Sequence, residues 1–227
     1  MRFFDSIDFR FRPPKINVII RNFILADLAL LAGWGLIEPV FAIFIVQRIE
    51  GATVVTVGIA AAIYWLVKSA VQVPVAVALD KNPSERDDYF VLISGLVLAG
   101  LTAFSFALID QIWQLYLVKV IHAAAFALYI PSWYSLFANH LDKGHRSLEF
   151  SLDSTAIGIA AGVTGLLGSL LVKWFGFVVI FVIAAIMCFI AAAMIFYSPE
   201  LVFPHRRYHR GQEMAILGDH TPKNINK

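Results

Sequence analysis

The chain has 227 residues, of which 59% are hydrophobic and 15% charged, with a mean hydropathy of +0.76 and a formal net charge of +2. Ordinary soluble domains carry about 25% charged residues, so this composition excludes a soluble globular protein. The small net charge offers nucleic acid nothing beyond a few basic residues beside the apolar segments, and the lone Cys188 excludes an intrachain disulfide.

Taken in order, residues 1–17 are polar and contain no apolar run of the signal-peptide kind, which predicts a cytoplasmic N-terminal segment. A spanning helix needs about 20 mostly apolar residues at about 1.5 Å rise each. Six stretches satisfy that: 18–46, 53–79, 89–109, 112–138, 154–172 and 174–197. The first holds Arg21, Asp27 and Glu38, and its length suits a retained signal anchor. The second holds only Lys68 and the fourth only Lys119, while the third, fifth and sixth carry no charge. The connections are short, with Pro83 and Gly144 as turn residues in 80–88 and 139–153. Short connections make neighbouring helices antiparallel. The pattern predicts an all-α membrane protein: one six-helix transmembrane domain over 18–198, then a polar tail over 199–227.

Charge placement predicts the orientation. With the N-terminus inside, the inner segments hold Arg2, Arg10, Arg12, Lys15, Arg21, Lys81, Arg86, Lys143, Arg146, Arg206, Arg207, Arg210, Lys223 and Lys227, and the outer loops hold only Arg48 and Lys173. Lys and Arg accumulate on the cytoplasmic side, which puts both termini in the cytoplasm and the protein in the plasma (inner) membrane. The run from His205 to Arg210 then reads as an orientation signal and an anchor to anionic lipid.

The fifth stretch is rich in small residues, with Gly158, Gly162, Gly165 and Gly168 at helical spacings. Such residues let membrane helices approach backbone to backbone. They predict close packing on a neighbour and are compatible with sliding between helices.

From the first helix to the sixth, the layout resembles one half of a major facilitator superfamily transporter. After the second helix, Ala76-Val-Ala-Leu-Asp80-Lys81 is similar to the family's loop signature, a small residue four before an Asp and then a basic residue. Asp80 and Lys81 match it; the Pro83-Ser-Glu85-Arg-Asp87-Asp88 that follows does not. Lys119 stands where many members have an Arg, ahead of an Ala-rich run and Pro131. Asn139-His-Leu-Asp142-Lys-Gly-His-Arg146 resembles the next cytoplasmic turn, and the glycine-rich helix follows it. The resemblance implies two halves related by an axis along the membrane normal, of which this chain would be one.

Ionisable groups at bilayer depth cost roughly 2.5–3.5 kcal/mol each and so ask for a reason. Asp27 and Glu38 lie on one helix face, with Trp34 between them. Tyr64, Lys68 and Gln72 form a second stripe; Lys119, His122, Phe126, Tyr129 and Trp133 form a third. In a facilitator half the helices bearing these stripes border a central cavity, with the third and sixth turned to lipid. The resemblance thus implies a substrate or ion pathway of Asp27, Trp34, Glu38, Tyr64, Lys68, Gln72, Lys119, His122, Tyr129 and Trp133. Depth along the helices brings Glu38 and Lys119 to one level, where an ion pair serves structure or transport. Asp27, nearer the inside, is expected to meet headgroups or water, and His122 serves either packing or proton transfer.

No His-Glu-x-x-His, Gly-x-Ser-x-Gly, phosphate loop or cysteine pair is present, so neither an enzyme, a metal nor a cofactor is expected. Asp27 and Glu38 are about 16 Å apart along one helix at about 1.5 Å per residue, too far to act as a catalytic pair. The expectation is a half-transporter moving a small solute by alternating access, as a homodimer or with another half. Its alternatives are a non-transporting subunit that stabilises another membrane protein and a truncated, inactive carrier.

Overall fold

Each of the six apolar runs forms one helix in the computed structural model, which describes residues 18–81, 85–141 and 144–198. The helices are α1 (Val18–Arg48), α2 (Val54–Asp80), α3 (Glu85–Phe106), α4 (Ile112–His140), α5 (Arg146–Phe175) and α6 (Phe177–Phe196), and all six are long and apolar enough to cross a membrane. The N-terminal segment, Pro83, Asp142, Lys143 and the tail with its basic run lie outside the described residues.

Two helices start earlier than their apolar runs. α5 begins at Arg146 rather than at 154, because Glu149 and Asp153 lie one turn apart on a buried face, with Leu148 and Leu152 half-buried beside them. Their charge ends the hydropathy signal without ending the helical period. α3 begins at Glu85 rather than at 89, with Glu85, Asp87 and Asp88 in its first turn, where carboxylates favour the positive end of the helix dipole.

α1 packs on α5 and α6, α4 packs on α2 and α3, and α3 meets α6. Exchanging the first three helices for the last three leaves this set of neighbours unchanged, the pattern of a three-plus-three repeat. α1 and α4 are therefore equivalent central helices. α3 and α6 are covered on one face and expose Phe90, Val97, Leu101, Ile186 and Ile190 on the other. The least covered helices are α2, which buries only Thr56, Ala60 and Leu79, and α5, which buries only Glu149, Asp153 and Gly168.

Small residues set the closest approaches. A Cβ at Gly95 would come within 2.8 Å of the Tyr129 backbone nitrogen, so α3 and α4 meet backbone to backbone there. The glycines of α5 divide: Gly168 abuts the Leu36 carbonyl of α1 and Gly165 abuts Pro39, whereas Gly158 and Gly162 have nothing within 4 Å. The packing expected of this stripe is thus made to α1 by its second half, while a Cβ added at Gly158 or Gly162 would meet nothing among the described residues. Gly176 alone connects α5 to α6 and takes φ +81°, a left-handed conformation that glycine adopts without steric cost. At the same end of the bundle, the α1–α2 turn is tied to the α3–α4 turn by the Glu50 N–H donating to the Asp110 carbonyl at 3.0 Å.

Candidate functional site

The central helices meet through an aromatic contact. Trp34 of α1 and His122 of α4 stack with centroids 3.9 Å apart, and Tyr64 of α2 covers the imidazole at 4.7 Å. Phe106 and Phe126 close its edges at 6.1 and 5.1 Å. In front of this cluster lies a cavity of about 270 Å³ lined by Leu31, Trp34, Ile37, Glu38, Phe41, Ala61, Tyr64, Trp65, Lys119, His122 and Phe126. It belongs to α1, α2 and α4, the helices that carry the three polar stripes.

Its charged groups do not pair directly. Glu38 is exposed and Lys119 half-buried on the same lining, but no ion pair within 4.0 Å joins them. The pairing expected from depth is corrected to a shared cavity. The Lys119 ammonium lies 3.9 Å from the centre of the Phe41 ring, with Phe106 at 5.3 Å and Tyr64 at 5.7 Å. Desolvated cation–π contacts of this kind are worth about 2 kcal/mol, which is why the side chain rests on rings. Lys68 lies 4.7 Å from the Trp65 ring and 5.7 Å from that of Tyr64. Gln72, one turn further along α2, is half-buried and lies beyond the cavity lining.

The other members of the stripes lie apart from this cavity. Asp27 is 5% exposed and accepts a hydrogen bond from the Tyr129 hydroxyl. The expectation that Asp27 meets headgroups or water is corrected: α4 and α5 cover it. Asp153 of α5 acts electrostatically on Tyr129 and is itself acted on by Asp27, and its Oδ1 is buried without a hydrogen-bond partner. Trp133 stacks on Phe137 at 4.5 Å, which in turn meets Phe23 at 6.1 Å. Trp133 is therefore a packing residue of the half of the bundle nearer the 80–88 connection, not part of the cavity wall.

Sequence reasoning missed a set of polar ties at the end of the bundle holding the 80–88 connection. Ser135 donates to the Asp88 carboxylate at 2.8 Å, the Tyr89 hydroxyl donates to the Phe196 carbonyl at 3.0 Å, and Asn22 donates to Ser198 at 3.3 Å. His140 lies 3.9 Å from Glu85. Asp80 and Lys81, the matched residues of the loop signature, are exposed beside this layer. The acidic first turn of α3 was the available signal for it. Among the described residues, no three His, Cys, Asp or Glu side chains group as metal ligands do.

The sequence profile of the Major Facilitator Superfamily matches residues 23–218. No curated protein matches the chain. Among solved structures, the chain is similar to the in meso crystal structure of the POT family transporter PepTSo, with a TM-score of 0.61 and 16% identity over 84% of this chain. It spans only 39% of that chain's length, and at this identity the likeness concerns the fold. A profile match over most of the chain, together with six helices arranged as in one half of such a transporter, places this multi-pass membrane protein in the Major Facilitator Superfamily.

Proposed function

We propose that the chain is one half of a solute carrier, moving a small polar or amphipathic molecule by alternating access once a second copy or another half completes it. The observation that carries this reading is the cavity among α1, α2 and α4, whose lining places exposed Glu38 beside Lys119 and His122. Charges within a hydrophobic span cost roughly 2.5–3.5 kcal/mol each when they face hydrocarbon. A second half opposite the cavity removes that cost by enclosing them in protein and water.

Two further features support it. The chain spans 39% of the PepTSo chain, about one half's share. α2 and α5 carry large uncovered apolar side chains, among them Val55, Leu66, Ile159 and Leu166, and Gly58, Gly158 and Gly162 leave space for a neighbouring helix to approach closely. On the charge count, both termini and the 80–88 connection belong in the cytoplasm and the protein in the inner membrane.

The deciding experiment is the state of the purified protein in bilayer discs, followed by cysteine cross-linking between copies from positions on α2 and α5. A dimer linked through these faces, or a co-purifying second half, is expected. A stable monomer with Glu38 and Lys119 open to lipid would rule the half-carrier out.

A further inference from the structure

Resting on the reading of this cavity as a solute site, we propose that it takes an amphipathic anion: a carboxylate on an apolar or aromatic body, its charged end held by Lys119.

The buried wall of the cavity is rich in donors and poor in acceptors. Lys119 brings three N–H donors and can accept none, and no carboxylate lies within 4.0 Å of it. His122, one turn along the same face, also lines the cavity, but Trp34 and Tyr64 cover its faces and both ring nitrogens are buried, so it forms the wall behind Lys119 and does not itself reach a solute's charged end. The partner that Lys119 lacks is an acceptor, and a carboxylate offers about four lone-pair sites on one group.

Charge points the same way. Lys119 of the lining and Lys68, which lies outside it, both stand 5.7 Å from the Tyr64 ring centre, so a second ammonium group lies near this wall. Glu38 is the one carboxylate of the lining; it lies at the exposed rim and, though its field reaches Lys119, makes no ion pair with it within 4.0 Å. The rest of the lining, Leu31, Ile37, Phe41, Ala61 and Phe126, is apolar and suits a hydrocarbon body. A volume of about 270 Å³ fits a small molecule, near the lower end of ligand pockets at roughly 300 Å³.

The test is equilibrium binding to the full chain in lipid nanodiscs with three probes of one shape: 3-phenylpropionate, 3-phenylpropylamine and 3-phenylpropan-1-ol. The acid is expected to bind at least ~10-fold more tightly than the amine or the alcohol, tenfold being about 1.4 kcal/mol. Lys119→Met should reduce the acid to the level of the alcohol, and Lys119→Arg should keep most of the margin. Circular dichroism melting certifies the fold of each variant; should Lys119→Met fail to fold, the wild-type probe order and Lys119→Arg still decide. Preference for the amine, or a folded Lys119→Met that keeps the acid's margin, overturns the anion assignment and leaves the solute cavity standing. Binding of none of the three above empty nanodiscs overturns both.

Discussion

The indole of Trp34 and the imidazole of His122 lie 6° from parallel with centroids 3.9 Å apart, and both side chains are buried. This stack joins the two central helices at the back wall of the cavity, so cavity shape and bundle stability depend on the same pair. Burial of the indole and the stack with its neighbours make Trp34→Ala a large loss, about 3–5 kcal/mol for a truncated core aromatic. Trp34→Phe keeps most of the volume and should lose no more than about 1.5 kcal/mol, the size of an aromatic pair term. Thermal unfolding in a single detergent measures both, and the expected order is wild type, then Phe, then Ala.

Tyr129 and Asp27 form the second central contact between α1 and α4, and here the partners are polar. Tyr129→Phe leaves the Asp27 carboxyl, 5% exposed, without its donor, and a stranded buried acceptor costs about 1–3 kcal/mol or more. Asp27→Asn keeps an acceptor for the hydroxyl and should be milder. If Tyr129→Phe unfolds at the wild-type temperature, the contact contributes nothing to the fold.

How far these contacts can be read from the chain differs by residue. Hydropathy suffices for the six helices, because a continuous apolar run of this length satisfies its own backbone groups in lipid by forming a helix. The 3.6-residue period puts Trp34 with Glu38 and Lys119 with His122 on single helix faces, and the resemblance to a facilitator half implies that those faces and Tyr64 border one cavity, as they do. The α4 stripe fails further along: from Lys119 to Trp133 it runs 14 residues, about 21 Å at about 1.5 Å each, which outruns a small cavity. Tyr129 and Trp133 consequently fall into other layers of the bundle. Asp88, Glu149 and Asp153 were hidden for the opposite reason. Their charges end the apolar runs, so hydropathy assigns them to loops, while the helices continue and bury them. That Asp27 meets Tyr129 across 102 residues of sequence is a matter of helix rotation, which no local pattern encodes.

The two classes of α5 glycine should separate folding from assembly. At Gly168 a Cβ runs into the Leu36 carbonyl, so Gly168→Ala must push α5 away from α1 and should cost about 1–3 kcal/mol, the range for overpacking. At Gly162 there is open space, so Gly162→Leu should leave the melting temperature of the isolated chain unchanged and weaken association of halves. Melting and cross-linking yields, measured on the same preparations, test this: equal loss of both from either variant would contradict the division.

Orientation is checked by impermeant thiol labelling in a Cys188→Ser background. Thr53 and Asp87 are both exposed, at opposite ends of the bundle. Thr53→Cys should react from outside the intact cell and Asp87→Cys only after the membrane is opened. The reverse pattern would invert the topology drawn from the positive charges and place the 80–88 connection outside.

Glu38 and Lys119 offer the sharpest distinction between a structural charge pair and a solute site. Removing one partner of a buried, directly bonded pair strands the other at a cost of about 3–5 kcal/mol, and removing both restores stability. These two share a cavity without an ion pair within 4.0 Å, and Lys119 is held by the rings of Phe41 and Phe106 instead. Glu38→Gln and Lys119→Met should therefore each leave folded yield near wild type. Because they share a cavity and the field of Glu38 reaches Lys119, their effects on unfolding should couple in the double variant only weakly, by about 0.5–1 kcal/mol, the low end for residues joined through a shared cavity. Solute binding should respond in the opposite manner: Lys119→Met should bring the acid down to the level of the alcohol, and Glu38→Gln should not. A coupling energy of several kcal/mol, with poor yield in both singles and recovery in the double, would show that the charges pair in the folded protein and hold the helices together, and the reading of the cavity as a solute site would fall with it.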